Sequence, residues 1–139
     1  MFKNRLVRCI LLFLVGGFSY CTIEICARGF SHISMLIAGG LSFIIIGYLN
    51  KWRADMSLVG QMVISALIIT SIEFSTGIVV NKIMNLNVWD YSRLPYNFMG
   101  QICLLYTNIW FLLSALAIFL DDYIRYYLMG DKKPHYKIF

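Results

Sequence analysis

Four long apolar stretches constrain the fold of this 139-residue sequence more than any other feature. They run from Cys9 to Ala27, from Ile33 to Leu49, from Val59 to Val80 and from Ile102 to Leu120. A membrane-spanning helix needs about 20 mostly apolar residues, and its backbone groups must be hydrogen-bonded within the segment. The sequence therefore predicts an all-α fold in which residues 1–139 form one domain, an integral membrane bundle of four transmembrane helices.

The composition excludes the other broad classes. Apolar residues make up 60% of the chain and charged residues 14%, whereas soluble domains average about 45–50% and about 25%. The net charge of +5 comes from basic residues in short clusters between apolar runs, not on one solvated face, so lipids and not nucleic acid are the expected contacts. The four cysteines and two histidines form no metal-binding pattern, and no cofactor is expected.

The distribution of basic residues predicts the orientation in the membrane. Of the 12 Lys and Arg residues, nine flank the apolar stretches on the side of the termini, and three, Arg28, Lys82 and Arg93, lie on the other side. Lys and Arg are enriched in cytoplasmic loops. We expect a multi-pass protein of the cell membrane with both termini in the cytoplasm.

The connection between the third and fourth stretches, Asn85 to Gly100, is too polar to span a membrane. It contains Trp89, Tyr91 and Tyr96 among polar residues such as Asp90. Trp and Tyr are enriched where a membrane meets water. We therefore predict an interfacial aromatic loop between helices three and four.

Glu73 is the most informative residue of the sequence. Counted from Leu58, it lies roughly 22 Å into a hydrocarbon layer about 30 Å thick. A carboxylate at that depth costs free energy and normally faces a protein interior, where it has a partner. We therefore expect Glu73 to be buried within the bundle.

Other residues share its helix face or its leaflet. Glu73, Gly77 and Asn81 follow at intervals of four, which indicates either a ligand site or a packing face joined by small and polar residues. Glu24 and Arg28 are spaced for an intrahelical ion pair near the same leaflet. Gly16-Gly17 and Gly39-Gly40 predict close packing of the first two helices.

These residues together predict an outward-facing polar pocket. Within it, Glu73 would bind a cation, a cationic group or a proton, Asn81 and Gln101 would orient the ligand, and Trp89 would close the pocket. The predicted ligand-binding residues are Glu73, Asn81, Trp89, Asp90, Asn97, Gln101, Glu24 and Arg28.

Several strings in the second half of the chain resemble one known family. They are Glu73-Phe74-Ser75-Thr76-Gly77, Asn81-Lys82, Val88-Trp89-Asp90-Tyr91-Ser92, Pro95-Tyr96-Asn97, Gly100-Gln101-Ile102-Cys103-Leu104 and Trp110-Phe111-Leu112-Leu113-Ser114. This pattern is similar to the bacterial family described as putative ABC-transporter type IV, a CmpB-type ABC transporter permease. The resemblance implies a transporter subunit.

Three functions are compatible with the sequence. A transporter subunit would need an ATPase partner, since the chain has no G-x-x-x-x-G-K-[ST] loop, or it would form a homo-oligomer. A structural or accessory membrane subunit would use the same polar residues only to hold helices together. An intramembrane enzyme acting on a lipid-linked substrate would use Glu73 or Asp90 as general base, although the common nucleophile and metal motifs are missing from the sequence.

Overall fold

The computed structural model describes residues 4–29, 31–52 and 57–130, and it is mostly helical. In the described residues there are four α-helices, and a helix covers most of each predicted apolar stretch. Their bounds are α1 Arg5–Arg28, α2 Ile33–Trp52, α3 Leu58–Gly77 and α4 Leu104–Met129. The predicted helical class is thus confirmed. The basic residues at 1–3, 53 and 131–139 lie outside the described residues.

Local signals explain where the helices begin and end. The Asn4 side chain accepts a hydrogen bond from the Leu6 N–H at 2.8 Å at the start of α1, and Ser57 caps α3 through the Gly60 N–H at 3.1 Å. Such caps satisfy backbone donors that have no partner within the helix. Gly29 (φ 82°) ends α1 and Gly130 (φ 75°) ends α4, both in the left-handed conformation that favours glycine.

The glycine pairs bring α1 and α2 together, as predicted. A Cβ atom at Gly17 would lie 2.6 Å from the Leu36 carbonyl oxygen, and one at Gly39 would lie 2.6 Å from Tyr20 Cβ. A side chain at Gly16 would collide with Phe43. The two backbones therefore approach to a distance that only glycine permits.

Helix α4 continues past the predicted end at Leu120. The reason is that Asp121 and Asp122, 1% and 6% exposed, are buried against the bundle. Arg125 Nε donates to Asp121 Oδ2 at 3.0 Å within the same helix. The two acidic residues at the end of the apolar stretch therefore do not end this helix, because their carboxylates are buried.

The segment between α3 and α4 is more ordered than the predicted loop. Helix α3 continues as a π-helical segment, Ile78–Ile83, and residues before α4 form a short antiparallel hairpin. Its strands, β1 Asn97–Phe98 and β2 Ile102–Cys103, pair Asn97 with Cys103 and Phe98 with Ile102. We call residues 84–103 the hairpin segment. A small β element is thus added to the predicted all-α fold.

Three of the helical stretches have the length and apolar composition to cross a membrane: Arg5–Cys26, Leu58–Ile83 and Leu104–Leu128. The apolar part of α2, Ile33–Leu49, is shorter. Helix α2 packs against α1, α3 and α4.

Candidate functional site

Glu73 lies in the interior, as its depth in the sequence predicts. The side chain is 5% exposed. Its Oε1 accepts a hydrogen bond from the Tyr91 hydroxyl at 2.8 Å, and its Oε2 accepts one from Trp110 Nε1 at 3.1 Å. One carboxyl group on α3 therefore fastens both the hairpin segment and α4.

The two donors are held by aromatic stacking. The Tyr91 ring stacks on Tyr106 at a centroid distance of 4.7 Å, and Trp110 stacks on Tyr20 of α1 at 5.3 Å. Burial of Tyr91, together with the adjacent Glu73 carboxyl, raises the pKa of the Tyr91 phenol. Tyr91 therefore keeps its proton and remains a donor.

Asn81 and Gln101 belong to a second buried group of hydrogen bonds. Asn81, on the π-helical segment, donates through Nδ2 to Gln101 Oε1 at 2.8 Å. Its Oδ1 accepts from the Val88 backbone N–H at 2.7 Å. Gln101 Nε2 in turn donates to the Met99 carbonyl at 3.1 Å. These bonds tie both ends of the hairpin segment to the end of α3.

Trp89 is packed into this network rather than placed at an opening. It is 5% exposed, and its Nε1 donates to the Gln101 backbone carbonyl at 2.9 Å. Gly77 makes room for it, because a Cβ atom there would lie 2.5 Å from Gln101 Oε1 and 2.9 Å from Trp89 Cζ2. The Glu73, Gly77, Asn81 face thus receives side chains from the hairpin segment.

Asp90 and Asn97 lie apart from Glu73 and shape the outer turns of the hairpin segment. Asp90 is exposed, and its Oδ1 accepts from the Ser92 backbone N–H at 2.9 Å. Hydrogen bonds from Ser92 hold the pKa of Asp90 below its usual value. Asn97 donates to the Leu94 carbonyl at 2.8 Å and accepts from the Gly100 N–H at 3.1 Å. Both side chains are bonded to backbone groups near them in sequence.

Glu24 belongs to the surroundings of the site. It is 8% exposed, and its charge contributes, after the larger effects of burial and of Glu73, to the raised pKa of Tyr91. Arg28 ends α1, but its side chain lies outside the described residues, so the predicted ion pair between Glu24 and Arg28 stays a prediction.

The space beside Glu73 is small. A cavity of about 10 Å³ is bounded by Glu73, Tyr20, Trp89 and residues of α2 and α3. A volume of that order holds at most about one water molecule. Of the residues predicted to line an open pocket, Asn81, Gln101 and Trp89 are hydrogen-bonded to one another. Glu73 bonds instead to Tyr91 and Trp110.

Sequence reasoning missed Tyr91 and Trp110 as partners of Glu73. A depth count would have indicated Trp110, which lies six residues into α4, roughly 9 Å from the N-terminal end of that helix. Glu73, roughly 22 Å from the opposite side of a layer about 30 Å thick, is at the same level. A tryptophan at that level lies below the usual interfacial belt.

Among residues 4–29, 31–52 and 57–130, no three His, Cys, Asp or Glu side chains are grouped so that they could hold a metal ion. The donors around Glu73 are a phenol and an indole, which are not metal ligands in this arrangement.

A protein-family model covers most of the chain. The family model described as Putative ABC-transporter type IV matches residues 15–133 of the chain. This range contains all four helices in whole or in large part, and the whole Glu73 network. No curated protein and no solved structure matches the chain.

Proposed function

This chain belongs to the family described as Putative ABC-transporter type IV, and we propose on that premise that it is the membrane-embedded subunit of an ABC-type transport system. We propose further that all four helices cross the cell membrane, with both termini in the cytoplasm. Support comes from the three long apolar helices and from α2, whose apolar part, Ile33–Leu49, lies at the lower limit of the range of about 17–25 residues that a membrane span needs.

The observation that carries the proposal is the buried carboxyl group of Glu73, bonded to donors from two other elements. Buried acidic residues at membrane depth are typical of ion and substrate pathways. In our proposal this structure is the closed arrangement. Withdrawal of Tyr91 with the hairpin segment would free Glu73 Oε1 to take a proton or a cationic group, with Asn81 and Gln101 beside it.

The chain needs partners to act in this way. It has no phosphate-binding loop of the ATPase type, so nucleotide hydrolysis would come from a separate ATPase subunit. A four-helix unit would form a transport pathway together with membrane subunits that belong to the same ATPase complex, or with further copies of itself.

An accessory subunit without transport activity is the second candidate. The observation in its favour is the closed network, in which both carboxyl oxygens are hydrogen-bonded and the adjacent cavity measures about 10 Å³. The geometry lends no support to the enzyme alternative, because Glu73 is enclosed while Asp90 is exposed on an outer turn.

Cysteine labelling tests the orientation. In a variant whose four native cysteines are replaced by Ala, we expect Tyr96→Cys to react with a membrane-impermeant maleimide in intact cells. Tyr127→Cys, near the end of α4, should react only after permeabilisation. Both tyrosines are well exposed, at 81% and 73%, so the comparison reports on sidedness and not on burial. The reverse pattern would show that the hairpin segment is cytoplasmic and would overturn the proposed topology.

Isolation from native membranes tests the transport role. In mild detergent, we expect an ATPase to remain bound, and we expect Glu73→Gln to change its rate of hydrolysis at least severalfold. Ser75→Ala is the control, since Ser75 lies at the surface of α3 and bonds only to its own helix in the described structure. Unchanged hydrolysis in a folded Glu73→Gln complex would support the accessory role, and a stable protein with no ATPase would contradict the transporter assignment.

A further inference from the structure

A cationic pocket lies at the end of the bundle opposite to Glu73. It has a volume of about 60 Å³, and its polar lining includes Arg5 and Arg8 of α1, Tyr48 of α2 and Arg125 of α4. Leu12 and Ile44 form its apolar side. Three arginines from two helices therefore line one small space.

An apolar groove follows this pocket along the same helices. Its volume is about 210 Å³, and its walls come from α1, α2 and α4, including Gly16, Tyr20, Leu113 and Ala117. Phe43 of α2 packs with Leu12 in one apolar cluster and also lines the groove. The groove and the cationic pocket thus lie end to end.

The spacing along α1 shows that the two cavities share one helix face. Arg5, Arg8 and Leu12 line the pocket. Gly16, Tyr20 and Ile23 line the groove. Steps of three and four residues keep side chains on one face. From Leu12 to Ile23 this face rises roughly 16 Å, about half of a hydrocarbon layer about 30 Å thick.

The chemistry of the two cavities matches the two parts of a phospholipid. Guanidinium groups bind phosphate through paired N–H donors. Arg125 uses its Nε–H for Asp121 and carries further N–H donors on its terminal nitrogens. Basic pockets between membrane helices on the cytoplasmic side bind anionic headgroups. The groove's volume of about 210 Å³ is too small for a partner helix about 10 Å across, whereas the α1 face beside it rises about half of the hydrocarbon layer, as one acyl chain does.

We propose that this site binds one anionic glycerophospholipid of the cytoplasmic leaflet, with its phosphate at Arg5, Arg8 and Arg125 and one acyl chain in the groove along α1 and α4. The site depends on placement in the membrane and not on a transport role. It rests on the orientation proposed above, in which this end of the bundle faces the cytoplasm, and the cysteine labelling and the lipid tests below can fail separately.

The first test measures lipid retention. The protein is reconstituted in nanodiscs of equal phosphatidylcholine and phosphatidylglycerol, released in the gas phase, and its bound lipid is identified by native mass spectrometry. We expect one phosphatidylglycerol per chain to be retained preferentially. The double variant Arg5→Gln, Arg8→Gln should reduce that preference about thirtyfold, equivalent to about 2 kcal/mol for two basic residues.

A matched control removes the same charge elsewhere. Lys82→Gln with Arg93→Gln removes two exposed cationic residues at the opposite end of the bundle, and we expect it to leave the preference unchanged. Equal retention of both lipids by the unaltered protein, or an equal loss in both double variants, would overturn the proposal.

The second test separates a lipid from a free phosphate group. Ser19→Leu should fill the groove, since Ser19 lines it, and should reduce retention while the arginines are intact. Phe18→Leu, at the neighbouring surface position, should have no effect. Soluble glycerol phosphate at millimolar concentration should not displace the lipid. Displacement by that compound, or unchanged retention in a folded Ser19→Leu protein, would show that the groove holds no acyl chain and would contradict the proposal.

Discussion

Replacement of Glu73 by Leu is expected to destabilise the protein by about 2–4 kcal/mol. Leucine has a similar size but no acceptor, so the Tyr91 hydroxyl and Trp110 Nε1 would both lose their hydrogen-bond partner in the interior. A buried donor without an acceptor costs about 1–3 kcal/mol. The loss would be measured by SDS-induced unfolding in mixed micelles, and the emission spectrum of the tryptophans should shift to longer wavelength.

The conservative variant separates hydrogen bonding from size. In Glu73→Gln the amide oxygen can accept from Trp110 and the amide N–H can donate to the Tyr91 oxygen. Because the Tyr91 O–H would still lack its acceptor, we expect a loss of about 1–2 kcal/mol, smaller than that of Glu73→Leu. Ser75→Ala, at the surface two residues further along α3, should have a smaller effect still. If Glu73→Leu and Glu73→Gln had the same free energy of unfolding, hydrogen bonds to residue 73 would not be what holds the hairpin segment on α3.

Replacement of Gly17 by Leu is expected to separate α1 from α2 and to cost about 3 kcal/mol or more. A Cβ atom alone would lie 2.6 Å from the Leu36 carbonyl oxygen and 3.0 Å from Leu36 Cγ. Because a carbonyl is part of the backbone, the helices themselves would have to move apart. The measurement is again unfolding in mixed micelles, supported by faster proteolysis between the two helices.

The matched control for Gly17 places the same side chain on the opposite side of α1. Thr22 is exposed, and its hydroxyl bonds only to the Phe18 carbonyl of its own helix in the described structure. Thr22→Leu should therefore change the stability by less than about 0.5 kcal/mol. A comparable loss in both variants would mean that helix composition, and not the close contact with α2, determines the result.

The site could be predicted in part from the sequence, because a polar group placed in hydrocarbon costs free energy. That cost implied that Glu73 would be enclosed, and its 5% exposure confirms it. The interval from Glu73 through Gly77 to Asn81 predicted one shared face, which the structure has. The identity of the partners did not follow, since Tyr91 and Trp110 are 18 and 37 residues away from Glu73 along the chain.

Two features at the end of the bundle opposite to Glu73 also could not be predicted from the sequence. Asp121 and Asp122 indicated the end of an apolar stretch, yet both are buried within α4. Gly47 of α2 admits the Asp121 carboxylate, because a Cβ atom there would lie 2.6 Å from Asp121 Oδ1. Which glycine faces which carboxylate depends on how two helices are rotated, and hydropathy carries no information on rotation.

The sequence by itself determined that the chain is helical and where its apolar stretches lie, because a long run of apolar side chains requires internally bonded backbone. It also determined that α1 and α2 approach at their glycines. Only the tertiary structure decided that the Asn85 to Gly100 connection contains part of a hairpin packed on α3, and that Glu73 bonds to Tyr91 and Trp110 beside a cavity of about 10 Å³. The reason is that hydrogen bonds between residues far apart in the chain depend on the relative positions of helices, which local patterns do not specify.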